Sequence, residues 1–452
     1  MSNVFTIKVD PNTLSEFLIN PKSADEINIS SKKFAYINFG NRSHHVSIKV
    51  SENIPENIIA LSQDTLNDIY LPYYPSYEMT VNNNQIILGP FIGLLIKKED
   101  KDITESSLKK MSVYVKRYAE LNGAIVVFAL DKVNTSSGLI EGYCYNPVFN
   151  SWQRGIFPYP SSIYRTIGLN QQWKNHFHSV LGDCVFNNHY FNKWEMYKWL
   201  HSNIDINPHL PYTILYQAPD NALDMLERFG EIYIKPIKGL KGHGVIQASR
   251  DSDIVNFRFR SGKQNHSLKL DSIDKISDYL QIHFRNKKYI VQQSIEVMKY
   301  GGSVWDFRCM LLKDNSGMWK CNAIFGRCGE EDSIVSNISS GGRVLSAEDL
   351  LRDAMLLSDQ NVIDIKNKME SLAIKVCAEL DKCGINSGIL GLDIAVDVHG
   401  HLWIIEINNR DPCAVYALDL GDEELYNRLK TTPLYYAKYL AGFCDKAADS
   451  LT

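Results

Sequence analysis

Residues 389–410 read ILGLDIAVDVHGHLWIIEINNR. Two apolar runs, ILGLDIAVD and HLWIIEIN, flank a turn at His399–Gly400, which predicts a β-hairpin. A two-residue loop pairs Val398 with His401, so paired positions sum to 799 and Asp393 stands opposite Glu406. A four-residue loop (398–401) keeps the same sum. Directly opposed residues hold their Cβ atoms about 4.5–5.5 Å apart. Asn408 lies two residues beyond Glu406 and points to the same face. Two facing carboxylates repel, so something must offset them. One carboxyl could carry a raised pKa. A shared divalent cation is the better explanation, because Mg²⁺ prefers carboxylate, amide and phosphate oxygens. Asp393, Glu406 and Asn408 are therefore the candidate metal ligands, against the alternative of a solvent-facing polar stripe. Asp397, nearer the turn, is expected in solvent.

Upstream, residues 231–247 read EIYIKPIKGLKGHGVIQ. A strand ending in Lys235 enters a loop carrying Gly239, Gly242 and Gly244, and a second strand follows. Glycines let backbone N–H groups turn toward an anion. Lys235, Lys238 and Lys241 add positive charge suited to phosphates. The stretch is neither a Walker A loop nor a dinucleotide fingerprint, because a strand rather than a helix follows. Between these two stretches lie YIVQQSIEV (289–297), with Gln292, Gln293 and Glu296 interrupting an apolar strand, and SVWDFRCMLL (303–312), with Asp306 and Arg308 on one face. Arg327 follows, then a Ser/Gly loop, SNISSGGRV (336–344), with Asn337, Gly341, Gly342 and Arg343. Arginines beside a carboxylate–metal site suit phosphoryl or carboxylate oxygens.

Elsewhere the reading concerns organisation. FAYINF (34–39) and HHVSIKV (44–50) flank GNRS as a hairpin. His44 and His45 alternate faces on a strand and cannot share one metal. PFIGLLI (90–96), a helix over Ser106–Asn122 and AIVVFAL (124–130) predict a βαβ unit. Segment 145–165, rich in Pro, Tyr, Trp and Ser, reads as an irregular connection. KWEMYKWLH (193–201) is helical in period, and a last helix is expected to break at Pro433.

The 452 residues suggest roughly three domains. Lys plus Arg is 48 and Asp plus Glu is 52, a net charge of −4, which gives no electrostatic footprint for nucleic acid. A hydrophobic content of 44% excludes a disordered chain. The longest apolar stretch, 86–96, is too short to span a bilayer. The N-terminus lacks a secretory signal pattern, and nine cysteines without C-x-x-C spacing read as reduced thiols. A cytoplasmic location is expected.

Taken in chain order, Lys193, Lys235 with its glycine loop, Gln292–Ile295, Asp306-x-Arg308, Arg327, the Asn337–Gly342 region, Asp393, Glu406 and Asn408 resemble the ATP-grasp superfamily over roughly 185–445. ILGPFIGLL (87–95), the W-x-x-x-x-F-P-Y-P stretch at 152–160, IYR (163–165) and FNKWEMYKWL (191–200) extend the likeness to the endospore coat-associated YheC/YheD-like ATP-grasp family. The resemblance implies an α+β / α/β chain. A β-rich N-terminal domain (1–85) and a βαβ-type pre-ATP-grasp domain with linker (86–185) would precede an ATP-grasp domain (186–446), two α+β subdomains clasping ATP with a lid over about 200–295.

By the same likeness Lys193 and Lys235 contact the α- and β-phosphates, and loop 239–244 closes over the γ-phosphate. Gln292, Gln293 and Ile295 hold adenine, with Glu296 on the ribose. Asp393, Glu406 and Asn408 hold Mg²⁺, two ions when nucleotide is bound. Arg308 and Arg327 stabilise the transferring phosphoryl group, Asn337 belongs to the catalytic set, and Arg343 and Arg410 hold an acceptor carboxylate. The implied reaction is ATP-dependent carboxylate–amine ligation through an acyl phosphate, on an amino acid, peptide or envelope precursor. A coat-associated assembly protein with a vestigial or regulatory ATP site and a small-molecule kinase are the other readings. Partners left open are a homo-oligomer and spore-coat proteins, with the mother cell of a sporulating bacterium as a refined location.

Overall fold

Strand Ile389–Val396 is buried at every position, and so is its neighbour Trp305–Lys313. Continuous apolar runs of this kind belong in the middle of a sheet covered on both faces. The computed structural model describes residues 4–443 except 240–242, 262–263, 286–287, 298, 331–340 and 411. In it these two strands pair antiparallel at the centre of a five-stranded sheet, ordered Arg343–Ser346, Trp319–Cys328, Trp305–Lys313, Ile389–Val396, Leu402–Asn408. Trp305, Phe307, Cys309 and Leu311 pack with Leu390, Leu392 and Ile394 into a core shared with helices Ala347–Met355 and Asp359–Lys382. Strand alternation then turns Asp306, Arg308 and Asp393 to the opposite face.

A six-stranded sheet, ordered Thr213–Leu215, Tyr289–Gln293, Glu231–Pro236, Ile246–Asp251, Ile254–Ser261, Gln264–Leu270, carries the second half of the machinery. Helices Pro219–Phe229 and Ile273–Phe284 contribute Ala222, Met225, Leu226, Ile276, Leu280 and Phe284 to its own core. Both sheets fall in one compact unit, His189–Leu312 with Trp319–Tyr426.

The other unit comprises Met1–Asn188, Lys313–Met318 and Asn427–Thr452. Seven strands between Val4 and Gly89 close into a barrel, including the expected hairpin Phe34–Phe39/Arg42–Val50. His44 turns to Ser15 (3.0 Å) and Asp68 (2.9 Å), whereas His45 stacks outside against Phe34 and Tyr36. Strands Phe91–Lys97 and Ala124–Asn134 pair in parallel, the expected βαβ unit. Deep in this unit Lys438 Nζ donates to Glu78 Oε1 (2.5 Å) and to the Glu120 carbonyl (3.2 Å), an ion pair screened from solvent.

Three local expectations are corrected. Segment 145–165 is not an irregular connection: Ser151–Pro158 is an edge strand and Ser162–Arg165 an interior one. An edge strand tolerates the proline that suggested a linker. The single helix over 106–122 is instead three short pieces, Glu105–Met111, Ser112–Val115 and Tyr118–Leu121. Val113, Tyr114 and Val115 are poor helix formers because the preceding turn restricts their rotamers. The last helix, Glu423–Leu440, runs through Pro433. Thr431 and Thr432 hydroxyls bond back to the carbonyls of Asn427 (2.9 Å) and Arg428 (2.7 Å) in the turn that the proline ring crowds. No helix among the described residues is long and apolar enough to cross a membrane. The eight cysteines among them carry no disulfide.

Candidate functional site

The 389–410 hairpin opposes Asp393 to Glu406, Leu392 to Ile407 and Gly391 to Asn408. Nearer the turn the register differs: Ile394, Ala395 and Val396 face Ile404, Trp403 and Leu402, one residue off the expected sum. Gly400, at φ +82°, closes a turn of different length from either expected loop, and a bulge at Ile405 restores the opposition. The bulge also puts both Ile405 and Glu406 on the wall of one cavity.

That cavity is lined by side chains from both sheets, among them Lys235, Asp306, Arg327, Asp393 and Glu406, and by Lys193 from a helix. Asp393 is buried and is not left facing a bare carboxylate. Arg308 donates to it through Nε (2.5 Å) and Nη2 (3.2 Å), and Arg327 Nη2 stands 2.9 Å away. Arg327 also grips Asp306 in bidentate fashion at 2.7 and 2.5 Å. Across the hairpin, Lys193 Nζ donates to Glu406 Oε1 (2.7 Å) and to the Gly239 carbonyl (3.4 Å). The repulsion expected between Asp393 and Glu406 is thus offset by protein cations. Repulsion between them therefore does not by itself call for a metal ion.

The electrostatics follow from these pairs. Burial would raise the Asp393 pKa, but Arg308 and Arg327 outweigh it and hold the carboxyl below its ordinary value. Burial works against the Arg327 charge too, yet Asp306 and Asp393 keep it firmly protonated. Lys235 is different. Burial, reinforced by the Lys193 charge, pushes its ammonium down to about 8 against the pull of Glu406, Asp306 and Asp393.

Local structure explains the placements. Helix Lys193–Leu200 starts with a capping box in which Asn192 accepts from the Glu195 N–H and Glu195 bonds back, so Lys193 occupies the first helical position. Lys235 lies on strand Glu231–Pro236 with its Nζ donating to Gln292 Oε1 (2.6 Å) and placed over the Tyr233 ring at 5.1 Å. Ile295, Val297, Val304, Ala395 and Ile405 add apolar surface to the lining of the same cavity. Among the described residues the Ile295 N–H and C=O take part in no backbone hydrogen bond.

The chain has the strand lysine, glycine hairpin and paired-carboxylate hairpin of an ATP-grasp protein. A family model described as YheC/D like ATP-grasp matches residues 182–440, more than half of the chain, and the chain belongs to that family. It is 23% identical over 376 residues to the endospore coat-associated protein YheD of Bacillus subtilis (strain 168), covering 80% of this chain and 81% of that one. It is also 23% identical over 249 residues to YheC of the same organism, covering 55% and 67%. Among solved structures, the VanG D-Ala:D-Ser ligase from Enterococcus faecalis aligns over 78% of this chain and 98% of its own at 10% identity, with a TM-score of 0.43.

Of the expected residues, Lys193, Lys235, Gly239, Gln292, Gln293, Ile295, Arg327, Asp393 and Glu406 line the cavity. Arg308 and Asn408 stand behind Asp393, the latter donating to it from Nδ2 at 3.3 Å. Gly244 takes φ +73° in the turn. Gln292 does not present its amide to a base: both ends are engaged by protein, as described below. Glu296 lines a neighbouring depression with Glu231 and Asp397, not the Lys235 cavity. Asp397 is no simple solvated carboxylate, since it accepts from the His399 and His401 N–H groups and from Trp403 Nε1 at 2.9 Å each. Arg343 and Arg410 are exposed and lie over the rings of Tyr300 (5.8 Å) and Tyr190 (4.9 Å). Asn337, Gly242 and Lys241 lie outside the described residues. Sequence reasoning missed Tyr233, His243 and Thr213. Tyr233 was detectable two residues before Lys235 on the same face; Thr213 carried no local signal.

Proposed function

We propose that the chain is an ATP-dependent ligase that joins a carboxylate to an amine. The observation that supports this reading is the convergence of Lys193 and Lys235 with Asp393 and Glu406 on one cavity that also carries apolar side chains, among them Ile295, Val297, Val304 and Ile405. The donor set fits the metal: Asp393, Glu406 and Asn408 offer carboxylate and amide oxygens, the ligands hard divalent cations take. Mg²⁺, when bound there, supplies charge neutralisation for the β- and γ-phosphates.

The chain's own residues do the rest. Lys193 and Lys235 bind the polyphosphate, and the free Ile295 backbone groups offer adenine a donor and an acceptor. Arg327 stays anchored to Asp306 and directs its charge at the transferring phosphoryl group. Arg308, released from Asp393, joins it. An acid carboxylate takes the γ-phosphoryl group to give an acyl phosphate and ADP; an amine then attacks the acyl carbon, expelling phosphate and forming the amide. Residues 186–446 would be the catalytic domain, with the lid over about 200–295, and positioning would supply most of the acceleration.

Hydroxylamine trapping tests the reading. Incubation with Mg·ATP, pooled amino acids and peptides, and hydroxylamine should give ADP and an acyl hydroxamate. A stable phosphorylated product without hydroxamate would favour a kinase, and nucleotide binding without ADP release from any acid would reject the ligase. The relatives' names support association with spore-coat material as a second reading, testable by fractionating sporulating cells.

A further inference from the structure

We propose that Thr213 and Gln292 form a relay that positions Lys235 toward the nucleotide phosphates, making Gln292 a positioning residue and not a base contact. The inference rests on the nucleotide reading above and assigns two residues a role within that site.

Strand Tyr289–Gln293 lies between Thr213–Leu215 and Glu231–Pro236, with Gln292 directly opposite Thr213 on one side and Tyr233 on the other. Lys235, two residues beyond Tyr233, shares their face. Lys235 Nζ donates to Gln292 Oε1 at 2.6 Å, Gln292 Nε2 donates to Thr213 Oγ1 at 3.0 Å, and Thr213 Oγ1 donates to the Pro211 carbonyl at 2.8 Å. Thr213 and Gln292 are 3% and 4% exposed, so little water can substitute for any link.

The direction of this chain is forced from both ends. An ammonium only donates and a carbonyl only accepts. The Thr213 hydroxyl has one proton, and giving it to Pro211 leaves its oxygen to accept from Gln292. That acceptance turns the amide NH₂ group away from Lys235 and the amide oxygen toward it. Without the hydroxyl, Gln292 Nε2 loses the acceptor that fixes the amide's orientation, so the amide oxygen is no longer held toward Lys235 and the lysine loses its fixed pose. With both amide ends engaged, Gln292 has little left to offer a base, which leaves base recognition to the Ile295 backbone.

The test measures binding of Mg·AMP-PNP and of adenosine to the full chain by calorimetry, in wild type, Thr213→Val, Thr213→Ser, Lys235→Met and the Thr213→Val/Lys235→Met double variant. Thr213→Val keeps the shape and removes the hydroxyl. It should weaken the triphosphate analogue about 3- to 12-fold, the scale of one hydrogen bond between neutral groups, and leave adenosine within about 2-fold. Thr213→Ser should restore the triphosphate affinity. In the Lys235→Met background Thr213→Val should cause no further loss, because residues acting through one group are non-additive. Equal losses for adenosine and triphosphate, or additive losses in the double variant, would overturn the relay. Should Thr213→Val fail to fold, Gln292→Met carries the same comparison. Wild type that binds adenosine but gains nothing from the phosphates would also overturn it, and wild type that binds no nucleotide would reject the site reading itself.

Discussion

Replacing Lys235 by Met should stabilise the nucleotide-free protein at neutral pH while weakening, without abolishing, its affinity for the triphosphate. The ammonium is pushed from 10.5 to about 8, chiefly by burial. A shift from 10.5 to about 8, at about 1.4 kcal/mol per unit, bounds the penalty on the charged form at about 3.5 kcal/mol. Solvent reaching this half-buried side chain, and the Gln292 oxygen left without its donor, reduce the net gain to about 1–2 kcal/mol. The sign follows from linkage. The folded pKa lies below the unfolded one, so between pH 8 and 10.5 the unfolded chain binds more protons and wild-type stability rises with pH. By pH 9.5 the wild type should have recovered about 2 kcal/mol relative to pH 7, and Lys235→Met should lack this recovery. Urea unfolding of both proteins at the two pH values measures the difference. A gap between wild type and variant that stays constant with pH would mean that Lys235 titrates normally and is not strained by its surroundings. The same shift predicts that triphosphate affinity is highest below pH 8 and declines above it, as the lysine loses its proton.

Three other outcomes follow from the site. Arg327→Leu leaves Asp306 without its bidentate partner and removes one of the two arginines on Asp393; it should cost about 3–5 kcal/mol in chemical denaturation, and a loss below about 1 kcal/mol would show that the carboxylates find other partners. Gly391→Ala places a Cβ 2.6 Å from Pro412 Cβ and 2.9 Å from Arg308 Cδ, so it should displace Arg308 and destabilise by about 1–3 kcal/mol. Unchanged stability would mean the Pro412 segment yields freely. In the first unit, Glu78→Gln keeps the shape but leaves the Lys438 charge buried without a counter-charge. It should lower the unfolding midpoint by the scale of a broken buried ion pair, about 3–5 kcal/mol, and an unchanged midpoint would contradict the pairing.

Much of this architecture was legible from local pattern. Period-two alternation placed Asp306 with Arg308 and set Asp393 against Glu406, and the apolar runs marked the buried strands. The hairpin register was reached by a different path, since the turn and the Ile405 bulge each shift the pairing by one and cancel at the carboxylates. What local pattern could not contain were partners remote in sequence. Lys193 reaches Glu406, Arg327 bridges Asp306 and Asp393, and Gln292 is held by Thr213, 79 residues away. These contacts explain why the paired carboxylates already face cations and why both ends of the Gln292 amide are engaged by protein. Composition misled at 145–165 because prolines and aromatics at a sheet edge resemble those of a linker.

In the proposed reading the Asp393–Glu406 hairpin and the two lysines make a metal-dependent nucleotide site. Its most direct test is calorimetric titration of Mg²⁺ with AMP-PNP into wild type and Glu406→Ala. The account predicts binding that requires Mg²⁺ and is lost in the variant. Wild-type binding that ignores Mg²⁺, or a variant that binds as tightly as wild type, would contradict it.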